Sequence, residues 1–166
     1  MKFLMRCCSV ANRADDAFPV RSVRLAVSAA LLLAITGCAT TSAPLAGTEW
    51  QLVHFQSMDD AIGTIRPADP AQFTMRLNAD GTVNLRLDCN RANGSWSAES
   101  SGDGDSGSFS FGRLAVTRAL CPPPNLDERI ARDSEYVRTF LLRDGRLHLS
   151  LMADAGIYTW EPVEPD

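Results

Sequence analysis

Two runs of strict alternation flank a turn in the middle of this chain. Phe73, Met75 and Leu77 alternate with Thr74, Arg76 and Asn78, and Val83, Leu85 and Leu87 alternate with Asn84, Arg86 and Asp88. A period of two places the apolar side chains of each run on one face. Between the runs, Asn78-Ala79-Asp80-Gly81 carries turn-forming residues, with Gly81 free to take positive φ. The pair therefore predicts an antiparallel hairpin with one buried face. A lone hairpin is marginal in water, so the rest of the chain must cover that face with further strands or a helix.

The flanking sequence supplies both. Residues 49–55 (EWQLVHF) alternate Trp50, Leu52 and His54 against Val53 and Phe55, as a first strand would. Residues 57–70 read as a loop interrupted by Ile62 and Ile65. Asn93-Gly94 predicts a turn into a short strand at 95–99, and residues 100–108 (SSGDGDSGS), without an apolar side chain, predict an exposed mobile tip. Residues 108–111 and 114–117 read as short strand pieces. One helix is expected, stiffened at its entry by Pro122, Pro123 and Pro124 and capped by Asn125, with Glu128 closing a capping box. Its apolar face is Leu126, Ile130, Val137, Phe140 and Leu141. Asp144-Gly145 then turns into alternating Leu147, Leu149 and Leu151, residues 153–156 turn again, and 157–161 form a last strand. The expected class is α+β: a small curved antiparallel sheet of about seven short strands, barrel-like if it closes, packed around a single amphipathic helix.

The front of the chain does not read as part of that domain. Residues 25–35 (LAVSAALLLAI) are apolar or small, follow Arg21 and Arg24, and precede Thr36-Gly37-Cys38. A basic flank, a short apolar core and small residues before a cut site make a secretory signal over residues 1–37. The run falls short of the about 20 residues of a spanning helix, and a buried core helix is the alternative reading. Ile35-Thr36-Gly37-Cys38 resembles the bacterial lipobox, in which the cysteine thiol takes a diacylglyceryl group after small residues fit the peptidase cleft. Ala39 in place of Asp implies the outer membrane under the enteric sorting rule. Acyl chains contribute about 0.8 kcal/mol per buried methylene, so two or three anchor stably. Residues 38–45 are then the lipidated cysteine and a tether, and the domain occupies 46–163, with folding expected from near Thr48. Asp15 and Asp16 sit oddly in a leader, which makes Val20 an alternative start.

Five cysteines are present: Cys7, Cys8, Cys38, Cys89 and Cys121. Cleavage removes two, lipid takes Cys38, and in an oxidising compartment Cys89 and Cys121 form a disulfide. The loop it closes is worth roughly 3–4 kcal/mol as an upper value. Metal binding by the pair is the rival reading, although no Cys-x-x-Cys or clustered His completes a site. From Cys38 onward, 11 arginines against 18 carboxylates and no lysine give a charge of −7. That balance argues against nucleic acid and against electrostatic docking on anionic lipid.

Four motifs stand in order along the chain: Gly47-x-x-Trp50-x-Leu52, then Cys89-Asn90 with Gly94 and Trp96, then Thr117 to Cys121, and the closing Leu147-x-Leu149-x-Leu151. With them, the chain from about residue 46 to 162 resembles the META/HslJ-type domain of small bacterial envelope proteins. The chain departs from the family pattern at two places: Asp88 stands where Gly is usual before the first cysteine, and Ala119-Leu120 where Met-Ala is common before the second. The resemblance implies an α+β fold and an envelope role linked in some members to stress or drug tolerance. It implies no reaction, ligand or catalytic residue.

Other constellations have plainer readings. His54 and His148 are expected as half-buried strand residues, since a site would need partners that only folding brings together. Ser108-Phe109-Ser110-Phe111-Gly112 lacks one glycine and the strand-turn-helix setting of a nucleophile elbow. Asp103-Gly104-Asp105-Ser106-Gly107 starts like a calcium loop, but Gly107 occupies a ligand position and Leu114 stands where the closing Glu belongs. Asn90 is expected to hold its local turn through backbone hydrogen bonds, with a ligand contact as the alternative. Phe55, Phe73, Trp96, Phe109, Phe111 and Trp160 are expected as core, with a pocket lining as the alternative.

Three functions fit these features. The first is a non-enzymatic, lipid-anchored envelope module that acts through a protein or small apolar partner, with no cofactor and no metal. The second is a periplasmic hydrolase with a site assembled from scattered residues. The third is a carrier holding a lipid in the cup of the sheet.

Overall fold

The structure, a computed structural model, describes residues 44–123 and 126–163. The expected signal segment, the lipidation residue Cys38 and the helix cap Asn125 lie outside the described residues. Strands β1 (Thr48–Ser57), β2 (Thr64–Ile65), β3 (Phe73–Leu77), β4 (Thr82–Leu87), β5 (Asn90–Ser101), β6 (Ser106–Phe111) and β7 (Ala115–Val116) precede helix α1 (Leu126–Asp133). Strands β8 (Val137–Arg143), β9 (Arg146–Leu151) and β10 (Gly156–Pro162) follow it. Strands β1, β3, β4, β5, β6, β8, β9 and β10 pair in that order, all antiparallel, and β10 pairs back onto β1. The sheet thus closes into an eight-stranded barrel, with β2 beside β1 and β7 beside β5. Ten strands replace the seven expected, and closure removes the open edges that seven separate strands would leave.

The hairpin of β3 and β4 forms as its alternation demands, with Phe73, Met75, Leu77, Val83, Leu85 and Leu87 all buried. Gly81 takes φ +81° in the turn. Asp144 and Gly145 both take positive φ between β8 and β9, as a two-residue hairpin loop requires. An eight-stranded barrel is just wide enough for side chains to fill. Here they do: the gap among Leu85, Phe111, Ile130, Leu149, Tyr158 and Trp160 is only about 10 Å³.

Helix α1 lies across the mouth where β4 turns into β5, with Leu126 and Ile130 buried and Glu128 and Arg132 outside. The sheet is therefore not wrapped around the helix. The helix caps one end. It is also shorter than the apolar pattern suggested. It stops at Asp133, a 3-10 turn spans Ser134–Tyr136, and Val137, Phe140 and Leu141 belong to β8. The reason is a β-bulge: the register of β8 against β9 shifts between Val137 and Thr139, so Val137 and Phe140 both face inward at a spacing of three. A strand with that spacing imitates a helix.

Strand β1 hides a second bulge. Its register against β10 shifts between Leu52 and His54, so Trp50 and Leu52 point inward, then Phe55 and Ser57, while His54 rotates out of the expected face. Three further expectations change. Asn93-Gly94 is no turn, because β5 runs through it; the reversal sits at Asp88-Cys89, between paired Leu87 and Asn90. The polar tip narrows to residues 102–105, since Ser101 pairs with Ser106. Leu45, read as part of the tether, is fully buried and accepts a 2.6 Å hydrogen bond from Thr48 Oγ1.

Residues 140 and 141 separate strand from helix energetically. Phe140 is 2 % exposed and Leu141 38 %. Phe140→Ala is expected to cost about 3–5 kcal/mol and Leu141→Ala less than about 1 kcal/mol in urea unfolding with the disulfide intact. Equal, large costs would restore the longer helix.

Candidate functional site

Four of the residues picked out by the sequence converge where α1 meets the barrel mouth. Asp88 takes φ +57°, a left-handed conformation that Asp tolerates better than most residues and Gly better still. That explains why the family places Gly here and why Asp can replace it. The turn carries Cys89 outward to Cys121, and the two form the expected disulfide (Cα–Cα 5.7 Å). The rival metal reading of this pair falls with the bond.

Asn90 follows at once and is 3 % exposed. Its Oδ1 accepts hydrogen bonds from Thr117 Oγ1 (2.9 Å) and the Ala119 backbone N–H (2.8 Å). Its Nδ2 donates to the Ala119 carbonyl (3.0 Å) and to Asp127 Oδ2 (2.9 Å), and Cys121 Sγ lies 3.2 Å away. The amide orientation is forced, because turned over its oxygen would face a carbonyl and a carboxylate. Thr117 in turn accepts from the Arg91 N–H at 2.9 Å. Asn90 therefore does not hold its own turn, as expected, but staples residues 117–121 and the first turn of α1 to β5.

Asp127 and Asp133 were not singled out in the sequence, yet they fix the helix. Asp127 is 5 % exposed and sits in the first turn, where a carboxylate suits the helix dipole. Asp133 accepts a 2.8 Å hydrogen bond from the Tyr158 hydroxyl and lies 3.3 Å from Arg132 Nε. Burial, reinforced by the Asp133 carboxylate, pushes the Tyr158 hydroxyl far above its ordinary range, so it stays a donor. A signal existed: Leu126, Ile130 and Asp133 stand at i, i+4 and i+7, which puts a carboxylate on the buried face.

The other signature residues serve the frame. Residues 113–114 cross so close to β5 that a Cβ on Gly94 would stand 2.6 Å from Leu114 Cδ2 and 2.8 Å from the Arg113 carbonyl oxygen. Trp96 lies apart from the staple; its Nε1 donates to the Asn78 carbonyl and its ring stacks on Phe109 at 6.0 Å. Phe55, Phe73, Phe109 and Trp160 are core, and Phe111 is half-buried.

Two large clefts lie on the flanks of α1. One, about 660 Å³, opens above the staple between residues 112–120 and the helix, with Asn90 and Asp127 at its base and Arg118, Arg132, Glu128 and Glu135 among its walls. The other, about 670 Å³, lies on the opposite flank among Met58, Ile62, Tyr136, Leu151 and Met152.

The two histidines also meet. Thr159 on β10 sits opposite both His54 on β1 and His148 on β9, and His148 Nδ1 is 3.1 Å from its hydroxyl. Burial holds both imidazoles below their ordinary value. Arg66, Arg146 and His148 add to this at His54, and Arg146 and Arg143 at His148, against Asp144. Among the described residues, no group of three or more His, Cys, Asp or Glu is placed to hold a metal.

A closed, helix-capped antiparallel barrel with a disulfide-backed asparagine staple defines the class of this domain. The META domain family profile matches residues 43–161, and the chain belongs to that family. Among solved structures, it is similar to a protein from Burkholderia xenovorans determined by NMR, at 22% identity and a TM-score of 0.55, covering 73% of this chain and 85% of that one. It is also similar to a DUF4847 family protein from Bacteroides vulgatus ATCC 8482, at 12% identity and a TM-score of 0.46, covering 74% and 97%. No curated protein matches the chain.

Two measurements check the site. Asn90→Ala leaves the Ala119 N–H and the Asp127 carboxylate without their partner, and is expected to cost about 2–4 kcal/mol by urea unfolding; a cost within about 0.5 kcal/mol of zero would show the staple to be dispensable. The histidines set a pH dependence. Their folded pKa values lie below the unfolded value of about 6.5, so their contribution is whole above that pH and is lost as pH falls through the folded values. The urea midpoint is expected to drop between pH 7.5 and 5.5, and His54→Gln/His148→Gln to flatten the drop.

Proposed function

We propose that this META domain chain is a lipid-anchored accessory module of the bacterial cell envelope, held at the outer membrane by Cys38 and facing the periplasm. Its work is to bind a partner rather than to catalyse a reaction, in envelope maintenance under stress or drug challenge. The lipobox-like Ile35-Thr36-Gly37-Cys38 supports the address. The Cys89–Cys121 disulfide fits an oxidising compartment.

The observation that carries the binding role is how the chemistry of the signature residues is spent. Asn90, Thr117, Cys89 and Cys121 bond to one another and to the helix entry, so the family signature builds the frame. The barrel interior is packed with buried side chains, with a gap of about 10 Å³ among Leu85, Ile130 and Trp160, which counts against a lipid held in the cup. What remains for function is the surface beside α1. Among the described residues, a hydrolase has one hydroxyl–imidazole contact to draw on, Thr159 with His148. There Thr159 is buried between the two histidines, and arginines rather than a hydrogen-bonded carboxylate surround the ring.

The intact mass of the protein from native membranes tests this reading. The expected species begins at Cys38, carries acyl chains, and shows two alkylatable thiols only after reduction. An unlipidated species with two free thiols would sink it.

A further inference from the structure

Six large apolar side chains are substantially exposed among the described residues, and four of them, Met58, Ile62, Tyr136 and Met152, rim the groove on one flank of α1. Each is between 41 and 52 % exposed, and the buried Phe55 and Leu151 form the floor. Scattered apolar residues need no explanation, but a contiguous patch over a 670 Å³ groove marks an interaction surface. Two of the four are methionines, whose unbranched side chains adapt to varied apolar partners.

The lip of the groove is held in an uncommon shape. Ala153 and Asp154 both take left-handed φ, +54° and +53°, with no glycine between them. Such residues cost on the order of 1 kcal/mol each and concentrate at ligand clamps. They project Asp154 from one loop toward the groove that Asp59 lines from another.

Charge decides what kind of partner fits. The groove is lined by three carboxylates, Asp59, Asp133 and Asp154, and one guanidinium, Arg129. Arg132 neutralises Asp133, and Arg129 is drawn inward over the Phe55 ring at 5.3 Å. Arg138 approaches Met152 Sδ at 3.5 Å but donates to the Glu135 and Val137 carbonyls. Neither Asp59 nor Asp154 has an ion-pair partner among the described residues. Two free carboxylates around an apolar floor complement a basic amphiphile and repel an anionic lipid surface.

Position excludes the chain's own tether. Strand β1 starts beside Leu45 at one mouth and ends at Ser57 beside the groove, a path of about 33 Å for its ten residues. The segment between Cys38 and Leu45 spans at most about 25 Å. The groove itself lies at the barrel mouth opposite Leu45.

We propose that this groove docks a basic amphipathic segment of a partner protein, its apolar face on Met58, Ile62, Tyr136 and Met152 and its cationic residues against Asp59 and Asp154. This is helix-in-groove recognition, and it gives the binding role proposed above a surface and a partner chemistry, resting on that reading.

The test uses the mature protein from membranes, held in discs of zwitterionic lipid, with a labelled 18-residue Leu/Lys helical peptide as probe and empty discs as the blank. Saturable binding above the blank is expected. Affinity should fall at least ten-fold in Asp59→Lys/Asp154→Lys and in Met58→Ser/Met152→Ser. The exposed control Leu120→Ser/Leu141→Ser should bind as wild type, and a Leu/Glu peptide should not bind. Asp59 Oδ1 accepts the Ala61 N–H and Asp154 takes positive φ, so near-UV circular dichroism checks that each variant folds. Groove variants that bind like wild type, a Leu/Glu peptide that binds equally well, or binding no greater than the blank would each overturn the proposal. Self-association abolished by the same groove substitutions would assign the groove to a second copy and overturn it too. A chain found unlipidated by mass would remove the envelope reading while leaving this binding result standing.

Discussion

An eight-residue helix cannot hold itself in water, because isolated helices are marginal below about 12–15 residues. Helix α1 persists because both of its ends are tied to the barrel through buried carboxylates. Asp127 receives the Asn90 amide at one end, and Asp133 receives the Tyr158 hydroxyl at the other. The second tie works against the helix dipole, which disfavours a carboxylate in the last turn by about 0.3–1 kcal/mol. A hydrogen bond to a charged group, worth about 1.5–3 kcal/mol, outweighs that cost. With the helix fixed, Ile130 can fill the barrel mouth, and the core is sealed.

That arrangement ties the signature residues to one another and to the helix. The disulfide brings residues 117–121 against β5, Asn90 satisfies their backbone, and the same amide reaches the helix. Disulfide, staple and helix cap form one cooperative unit, and a buried polar network of this kind contributes only when every member is satisfied. The two clefts beside α1 inherit their shape from it. One shares its base with the staple, and the other shares a wall with Arg129 and Asp133. Any binding to either cleft is therefore coupled to the stability of the cap.

Much of the architecture could be read directly wherever a strand keeps its period. The hairpin of β3 and β4, the strand β9, the Asp144-Gly145 turn and the cysteine pairing all followed from alternation, turn chemistry and cysteine counting. Where the period breaks, the reading failed in a definite way. A bulge makes Leu52 and Phe55, and again Val137 and Phe140, face inward three residues apart. At Val137 this lengthened the helix into what is a strand, and at His54 it assigned the wrong face. Asn93-Gly94 reads locally as a turn, yet Gly94 is glycine because residues 113–114 pass against it, a contact across 19 or more positions that no local pattern carries.

What the sequence determined by itself was a set of half-buried strands, one amphipathic helix start, a disulfide and an acidic surface, since each depends on residues within a few positions or on simple pairing. The tertiary structure decided the rest: closure of the barrel by β10 on β1, the meeting of His54 with His148 around Thr159, and the pinning of α1 at both ends. It also gathered Met58, Ile62, Tyr136 and Met152 into one groove from three separate loops and turns. Those features rest on contacts between residues far apart in the chain, and only the closed sheet sets the distances that make them.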